Sequence, residues 1–533
     1  MCVTLSAMKR ISIHRGIAAA LLALIISACA APPSPLMEDS EFPLPAAKEV
    51  FSVGYRTIKD RYIEKIMPGD FAIEGLRGLA TIDPALSLTR EDDEIVIKFS
   101  EEIVQRFDAP KIDDADGWAE LTVNISAIAR QNSAALKKAD METIYEAVFD
   151  GILSNLDIYS RYAGAAEAKK NRAKRSGFGG VGIRFRVAEG KALITFIMPE
   201  TPAAESGLKK GDTIINIDGV DIKDLTQDDI GEMLRGPINS HVNIKVARKK
   251  VESELEFDVE RAHIVPDTVT YGTDDGVVFL KISSFNQDTS RSVLSKLKKA
   301  HQELGTSMKG VILDMRGNPG GLLKQSIRVA DLFLTQGQIS ETRGRHPDSL
   351  QNYTGGGLDM AYGKPVAVVL DNKSASAAEV TAAALQDRGR AVVVGTSSFG
   401  KGTVQTVVRL PNNGEVTLTW SRLIAPSGYT IHGLGIFPTV CTSGIDAKDS
   451  DEGRNEKKIA EKILLERVRT AAVLENWRLT PFQDKKKRLE LRAYCPPERR
   501  KTAIDVNIAK ILLNDAVLYA RTLNMSASAA AAQ

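Results

Sequence analysis

The chain has 533 residues, with 70 Lys and Arg against 68 Asp and Glu, and 43% of it is hydrophobic. At roughly 100–200 residues per domain that length predicts three or four domains, and so average a composition excludes collagen-like, wholly disordered and polytopic membrane chains. A net charge of +2 speaks against nucleic acid as a partner, because phosphate binding needs an excess of Lys and Arg.

Lys9, Arg10 and Arg15 precede an apolar run over 17–26, which is followed by Ser27, Ala28 and Cys29. A basic stretch, a short apolar core and small residues mark a secretory signal, and the run is about half the ~20 residues that span a bilayer as a helix. Ile26-Ser27-Ala28-Cys29 resembles a bacterial lipobox. The resemblance implies cleavage after a signal peptide of residues 1–28, a lipid on the Cys29 thiol, and membrane attachment. The product is a periplasm-facing lipoprotein of the bacterial cell envelope, and Ala30 leans toward the outer membrane. Residues 29–48 are rich in Ala and Pro and read as a tether. Cys2 leaves with the signal and Cys29 carries lipid, so Cys441 and Cys495 remain. In an oxidising compartment they suit one disulfide, with two unpaired buried cysteines as the alternative.

Over 49–170 the apolar spacing is mostly helical and predicts a helical N-terminal domain. From 171 to 262 the pattern changes to short strands broken by glycine. Gly180-Val181-Gly182-Ile183 opens a strand, Thr213 to Ile217 forms another, and Asp218-Gly219 is a hairpin turn. The ordered set resembles a PDZ domain. The resemblance implies that Gly180, Val181, Gly182 and Ile183 offer backbone N–H groups to a peptide's terminal carboxylate, while the peptide body pairs as an added strand. A small β domain without a ligand is the plainer reading.

Residues 263–445 carry the chemistry. Val311 to Met315, Val366 to Leu370 and Ala391 to Val394 are buried-strand runs separated by helical patterns, an order that predicts parallel strands with right-handed crossovers. The loops over 316–321, 371–376 and 395–402 all follow strand carboxyl ends and so converge on one edge. Ser376 opens a helix there, where the free N–H of Ala377 favours negative charge. A backbone amide from the Gly317, Gly320, Gly321 loop supplies a second donor, and two such donors make an oxyanion hole. Lys401, beside Phe399, loses water and so gains base character. A Ser–Lys pair performs acyl transfer with a hydroxyl nucleophile and an amine base. Gln405 can orient the amine only if the chain turns at the glycines, since four extended residues span about 13 Å.

Plainer readings compete. Ser376 and Glu379 also form a capping box. Gly395 to Lys401 fits a phosphate loop, yet Gly402 supplies no hydroxyl and a strand follows instead of a helix, so that reading is rejected. His432 follows no predicted parallel strand and reads as structural or surface. No metal or other cofactor is called for. Residues 446–533 read as a helical C-terminal region with a low-complexity tail from Ser526.

Leu313-Asp314-Met315-Arg316-Gly317-Asn318-Pro319-Gly320-Gly321, Ser374-Ala375-Ser376-Ala377-Ala378-Glu379, Phe399-Gly400-Lys401-Gly402-Thr403-Val404-Gln405 and Gly433-Leu434-Gly435-Ile436-Phe437-Pro438 together resemble the carboxyl-terminal processing (tail-specific) proteases. The resemblance implies an α/β multidomain protein with a crotonase-like protease core, a PDZ-like β domain and helical N- and C-terminal regions. It implies Ser376 as nucleophile, Lys401 as general base, Gln405 as the residue positioning it, and Ala377 with Gly320 as oxyanion donors. It implies protein or peptide substrates held by their C-termini, and leaves room for an adaptor protein and a homo-oligomer. Ala378 departs from the serine that the family often carries there. The competing function is a lipid-tethered peptide-binding scaffold with an inactive core.

Overall fold

The computed structural model describes residues 43–445, 467–500 and 503–526. The signal segment, Cys29, the larger part of the tether and the tail beyond Ser526 lie outside them. Where the tether is expected to run on to residue 48, the chain is already helical. Helix α1 (Leu44–Arg61) buries Ala47, Val50, Phe51, Tyr55 and Ile58, one stripe at helical spacing. It packs with α2 (Pro68–Gly78), α3 (Ala115–Asn132) and α5 (Met141–Leu153), and a short α4 (Ala134–Lys138) joins the last two.

The N-terminal region is not all helical. Residues 86–108 form an antiparallel sheet of β1 (Leu86–Glu91), β2 (Glu94–Phe99) and β3 (Glu102–Asp108). Leu86, Leu88, Ile95, Val96 and Ile97 are buried, whereas β3 is almost wholly exposed. So short a run of alternation is easily absorbed into flanking helical periodicity.

Strand β4 (Arg161–Ala163) and helix α6 (Ala165–Ser176) lead into the second region. Its elements are β5 (Phe178–Gly180), β6 (Ile183–Ala188), β7 (Lys191–Ile197), α7 (Pro202–Glu205), β8 (Thr213–Ile217), β9 (Val220–Asp221), α8 (Gln227–Leu234), β10 (His241–Ala247) and β11 (Leu255–Glu260). The sheet order is β11-β10-β8-β7-β6, which leaves β6 at an edge. The single strand start expected over 180–183 is split in two. β5 ends at Gly180 and pairs with β12 (Ala262–Ile264), and β6 begins at Ile183 after Gly182 at φ +89°.

The third region has β13 (Val269–Asp274), β14 (Val277–Ile282), α9 (Thr289–Leu304), β15 (Gly310–Asp314), α10 (Leu323–Asp331), β16 (Gly337–Gly344), β17 (Gln351–Gly355), β18 (Val366–Leu370), α11 (Ala377–Asp387), β19 (Val392–Gly395), β20 (Thr403–Arg409), β21 (Glu415–Ile424) and β22 (Val440–Cys441). The main sheet runs β13-β14-β15-β18-β19-β22 and is parallel from β14 onward. A second sheet, β17-β16-β21-β20, takes β4 beside β21.

The C-terminal region completes this core. Its helices are α12 (Arg467–Leu479), α13 (Lys485–Arg492), α14 (Ile504–Asn514) and α15 (Ala516–Ser526). Parallel strands need cover on both faces. Val311, Leu313, Val368 and Val393 share one buried cluster with Trp477 and Leu491, and Ile312, Val369, Val392 and Val394 share the other with Ile508, Leu512 and Tyr519. Cys441 and Cys495 are disulfide-bonded, with Cα atoms 5.9 Å apart.

Candidate active site

The loops after β15, β18 and β19 meet and are cross-linked by buried polar groups. Asn318, fully buried, accepts from Ala375 N–H through its carbonyl (2.9 Å) and donates from Nδ2 to Ile282 O (2.9 Å). Asp371 accepts from Gly317 N–H at 2.9 Å, and Phe399 N–H donates to Ser374 O at 3.0 Å.

Ser376 stands at the head of α11 with φ +56° and ψ −116°, a region that costs a side-chain-bearing residue of order 1–3 kcal/mol and is found where function over-determines the backbone. The first loop presses against it. A Cβ on Gly320 would lie 2.8 Å from Ser376 Cβ and 3.1 Å from Ala377 N. Gly320 itself is therefore the point of close approach, but it is not the free donor expected. Its N–H is already given to Asn318 Oδ1 at 2.8 Å. The free groups are its neighbours. Among the described residues, Ala377 N–H and Gly321 N–H have no acceptor. Gly320 C=O accepts from Phe285 N–H at 2.9 Å, so across the planar trans peptide the Gly321 N–H points the opposite way.

Glu379 does more than close a capping box. Its carboxylate is fully buried and accepts from Ser376 N–H (2.7 Å), Lys401 N–H (2.9 Å), Gly400 N–H (2.6 Å) and Ser398 Oγ–H (2.5 Å). Burial pushes this carboxyl up, and the four donors pull it back. Oε2 alone holds the Ser376 and Lys401 nitrogens, which therefore lie under about 6 Å apart. Pattern reading misses most of this bond set, because three of the four donors are 19 to 22 positions away along the chain.

The Lys401 amine is half-buried. The spacing assigns its shielding to Phe399, but that ring is 44% exposed. The ring over Nζ is Tyr159, from the segment before β4, with its centroid 4.8 Å away. Burial lowers the lysine pKa, helped by the Arg161 charge and opposed by Asp157 and Glu379. Asp157 anchors the Tyr159 segment, accepting from Tyr159 N–H at 2.7 Å and Thr419 Oγ1–H at 3.0 Å. No motif marks Tyr159 in the sequence.

In this structure Gln405 is bonded away from the amine it is expected to orient. Its Nε2 donates to Thr403 Oγ1 (2.9 Å) and Thr419 Oγ1 (3.3 Å), and no hydrogen bond joins Lys401 to Gln405 or to Ser376 Oγ. Gln405 is the third residue of β20, and Lys401 lies in the loop before that strand. His432 is half-buried. Its backbone nitrogen would lie 1.9 Å from a Cβ at Gly402, so that position admits only glycine.

Helices α12 and α13 support the loops, through Trp477 and Arg492 respectively. Arg492 donates to Leu434 O and, at 3.0 Å, to Ser398 O, and Trp477 Nε1–H donates to Gly435 O at 3.2 Å.

The glycine-rich turn of the β domain lines a cavity of about 150 Å³ between β6 and α8. Gly180, Val181, Gly182 and Ile183 border it with Met198, Leu234 and Ile264. Among the described residues, Val181 N–H and Gly182 N–H have no acceptor. A Cβ on Gly182 would sit 2.4 Å from Thr201.

A mixed α/β core with a strained serine, attached to a small β domain with an edge-strand groove, defines a serine-type peptidase carrying a peptide-binding module. Residues 276–442 match Peptidase family S41 and residues 179–259 match the PDZ domain. The carboxy-terminal-processing protease of Bartonella bacilliformis is 36% identical over 303 residues, covering 56% of this chain and 70% of that one. The "Probable CtpA-like serine protease" of Staphylococcus aureus is 30% identical over 313 residues, and the match spans 62%, less than two thirds, of its length. Among solved structures, the photosystem II D1 C-terminal processing protease is 21% identical, covering 74% of this chain and 92% of that one at a TM-score of 0.38. The chain belongs to the carboxy-terminal-processing serine proteases, Peptidase family S41, with a PDZ domain.

Proposed function

We propose that this protease is an endopeptidase with a crotonase-like core, in which Ser376 and Lys401 form the catalytic dyad. The observation that carries the reading is the shared Glu379 oxygen, which brings the backbone of the strained Ser376 and that of Lys401 to one point. The deprotonated Lys401 amine takes the Ser376 hydroxyl proton as Oγ attacks a peptide carbonyl. The oxyanion then rests on the N–H groups of Ala377 and Gly321. Lys401 returns the proton to the leaving amine, and water opens the acyl-enzyme. An ammonium is attracted to the Tyr159 ring, whereas a neutral amine is not, so loss of the proton frees the side chain to turn toward Ser376.

The PDZ groove captures a substrate's C-terminal residues, with the Val181 and Gly182 N–H groups on the carboxylate. Substrates are proteins of the bacterial cell envelope, and the enzyme is a lipoprotein anchored through Cys29 and facing the periplasm. The Cys441–Cys495 bond supports an oxidising compartment.

The test is cleavage of an unstructured protein with an apolar C-terminus by wild type, Ser376→Ala and Lys401→Ala. Both variants are expected to lose at least about a thousand-fold in rate. Persistent cleavage by both would reject the dyad, and no cleavage by wild type would favour the scaffold.

A further inference from the structure

The PDZ groove presents chemistry beyond its apolar cavity. β6 is an edge strand, and side chains of paired residues in a sheet lie on the same face. Ile183, Phe185 and Val187 pack half-buried against the domain core, while Arg184, Arg186 and Ala188 are exposed on the outer face. Pairing with β7 sets Phe196 beside Arg184, Leu193 beside Arg186 and Lys191 beside Ala188, and all three are exposed. The outer face is thus a basic strip with two apolar side chains in it.

The nearest acid along the chain is Glu189, exposed in the turn between β6 and β7 and paired with none of the three basic side chains. Neither β6 nor β7 contains an acidic residue, and among the described residues Arg184, Arg186 and Lys191 form no ion pair. Arg184 is held in place, because its guanidinium lies 5.2 Å from the Phe196 ring centre. Across the groove the acids of α8 are already engaged. Asp228 pairs with Lys170, Glu232 with Lys169 and Arg235, and Asp229 caps its own helix.

From this strip we infer that the protease selects protein tails with acidic side chains at the penultimate and fourth-from-last positions, behind an apolar last residue. The inference rests on the groove being a C-terminus site. If the last side chain enters the apolar cavity, strand alternation turns the third-from-last residue the same way and the second- and fourth-from-last residues outward. The outward pair then stands on the face of Arg184 and Arg186.

The experiment uses the full chain carrying Ser376→Ala, so that bound peptides survive, and fluorescent ten-residue peptides ending in an apolar residue. The two outward positions carry Asp, Asn or Lys, and a fourth peptide repeats the Asp sequence with an amidated end. The expected order of affinity is Asp, then Asn, then Lys, with about ten-fold between the extremes, since an exposed ion pair contributes two- to five-fold. The spread should shrink with added salt, and Arg184→Glu with Arg186→Glu should invert it. Equal binding of the three free-acid peptides, or an order unchanged in the double variant, overturns the inference and leaves the groove reading intact. An amidated peptide that binds as well as its free acid, or no binding by any peptide, overturns the groove reading and the inference with it.

Discussion

Ser376 keeps a backbone conformation that glycine would hold without strain. With φ at +56°, its Cβ crowds the backbone, and the buried Glu379 bonds keep the turn closed. Replacement by alanine removes the hydroxyl and retains the crowding. Replacement by glycine removes both, at an added unfolded-state entropy of about 0.5–1 kcal/mol against a strain of about 1–3 kcal/mol. Ser376→Gly is therefore expected to be more stable than Ser376→Ala by about 1 kcal/mol, with both inactive. Urea unfolding of the pair measures it, and a less stable glycine variant would mean that the turn carries no strain. Ser376 and Lys401 were legible because their flanking glycines and small residues form ordered motifs. Glu379 was legible only as a cap, and the choice between Gly320 and Gly321 was not legible, since it depends on which way a peptide plane faces.

At the scale of elements, the three loops could be placed from the strand order, because parallel strands leave their carboxyl ends on one edge. The helices after residue 466 could be named but not located. Nothing local in α13 shows that Arg488 donates to Thr430 O and His432 O, or that Arg492 reaches the loop carrying Lys401. The cysteines gave the one long-range hint. Their bond spans 54 positions, and closing a loop of that size in the unfolded chain contributes about 2–4 kcal/mol. The double variant Cys441→Ser, Cys495→Ser is expected to lose that much stability and to become indifferent to reductant. Wild type in reductant should move toward the same unfolding midpoint. A midpoint that neither change moves would show that helix packing alone holds α13.

Across the whole molecule, the PDZ groove and Ser376 are coupled through α6. On one side Lys169 and Lys170 pair with Glu232 and Asp228 of α8, exposed contacts of small weight. On the other side Arg172 and Arg175 both bond Glu415 on β21, at 3.0 and 2.8 Å, and the Glu415 side chain is only 4% exposed. That buried carboxylate with two guanidinium partners is the firm attachment, because removing its charge leaves the arginines without an acid. β21 also pairs with β4, two residues beyond Tyr159. Under the proposed function, this attachment fixes the groove relative to Ser376, so that a captured tail would reach it at a set distance and high local concentration. Glu415→Gln should leave peptide affinity of the groove within about two-fold and leave cleavage of short peptides that do not span both sites unchanged. Cleavage of long tail-bearing substrates should fall by roughly three- to ten-fold as α6 loosens and the effective concentration drops. Hydrogen exchange over residues 165–176 would report the loosening directly. Faster exchange with no change in the ratio of long- to short-substrate rates would show that a fixed spacing between groove and nucleophile is not used in delivery.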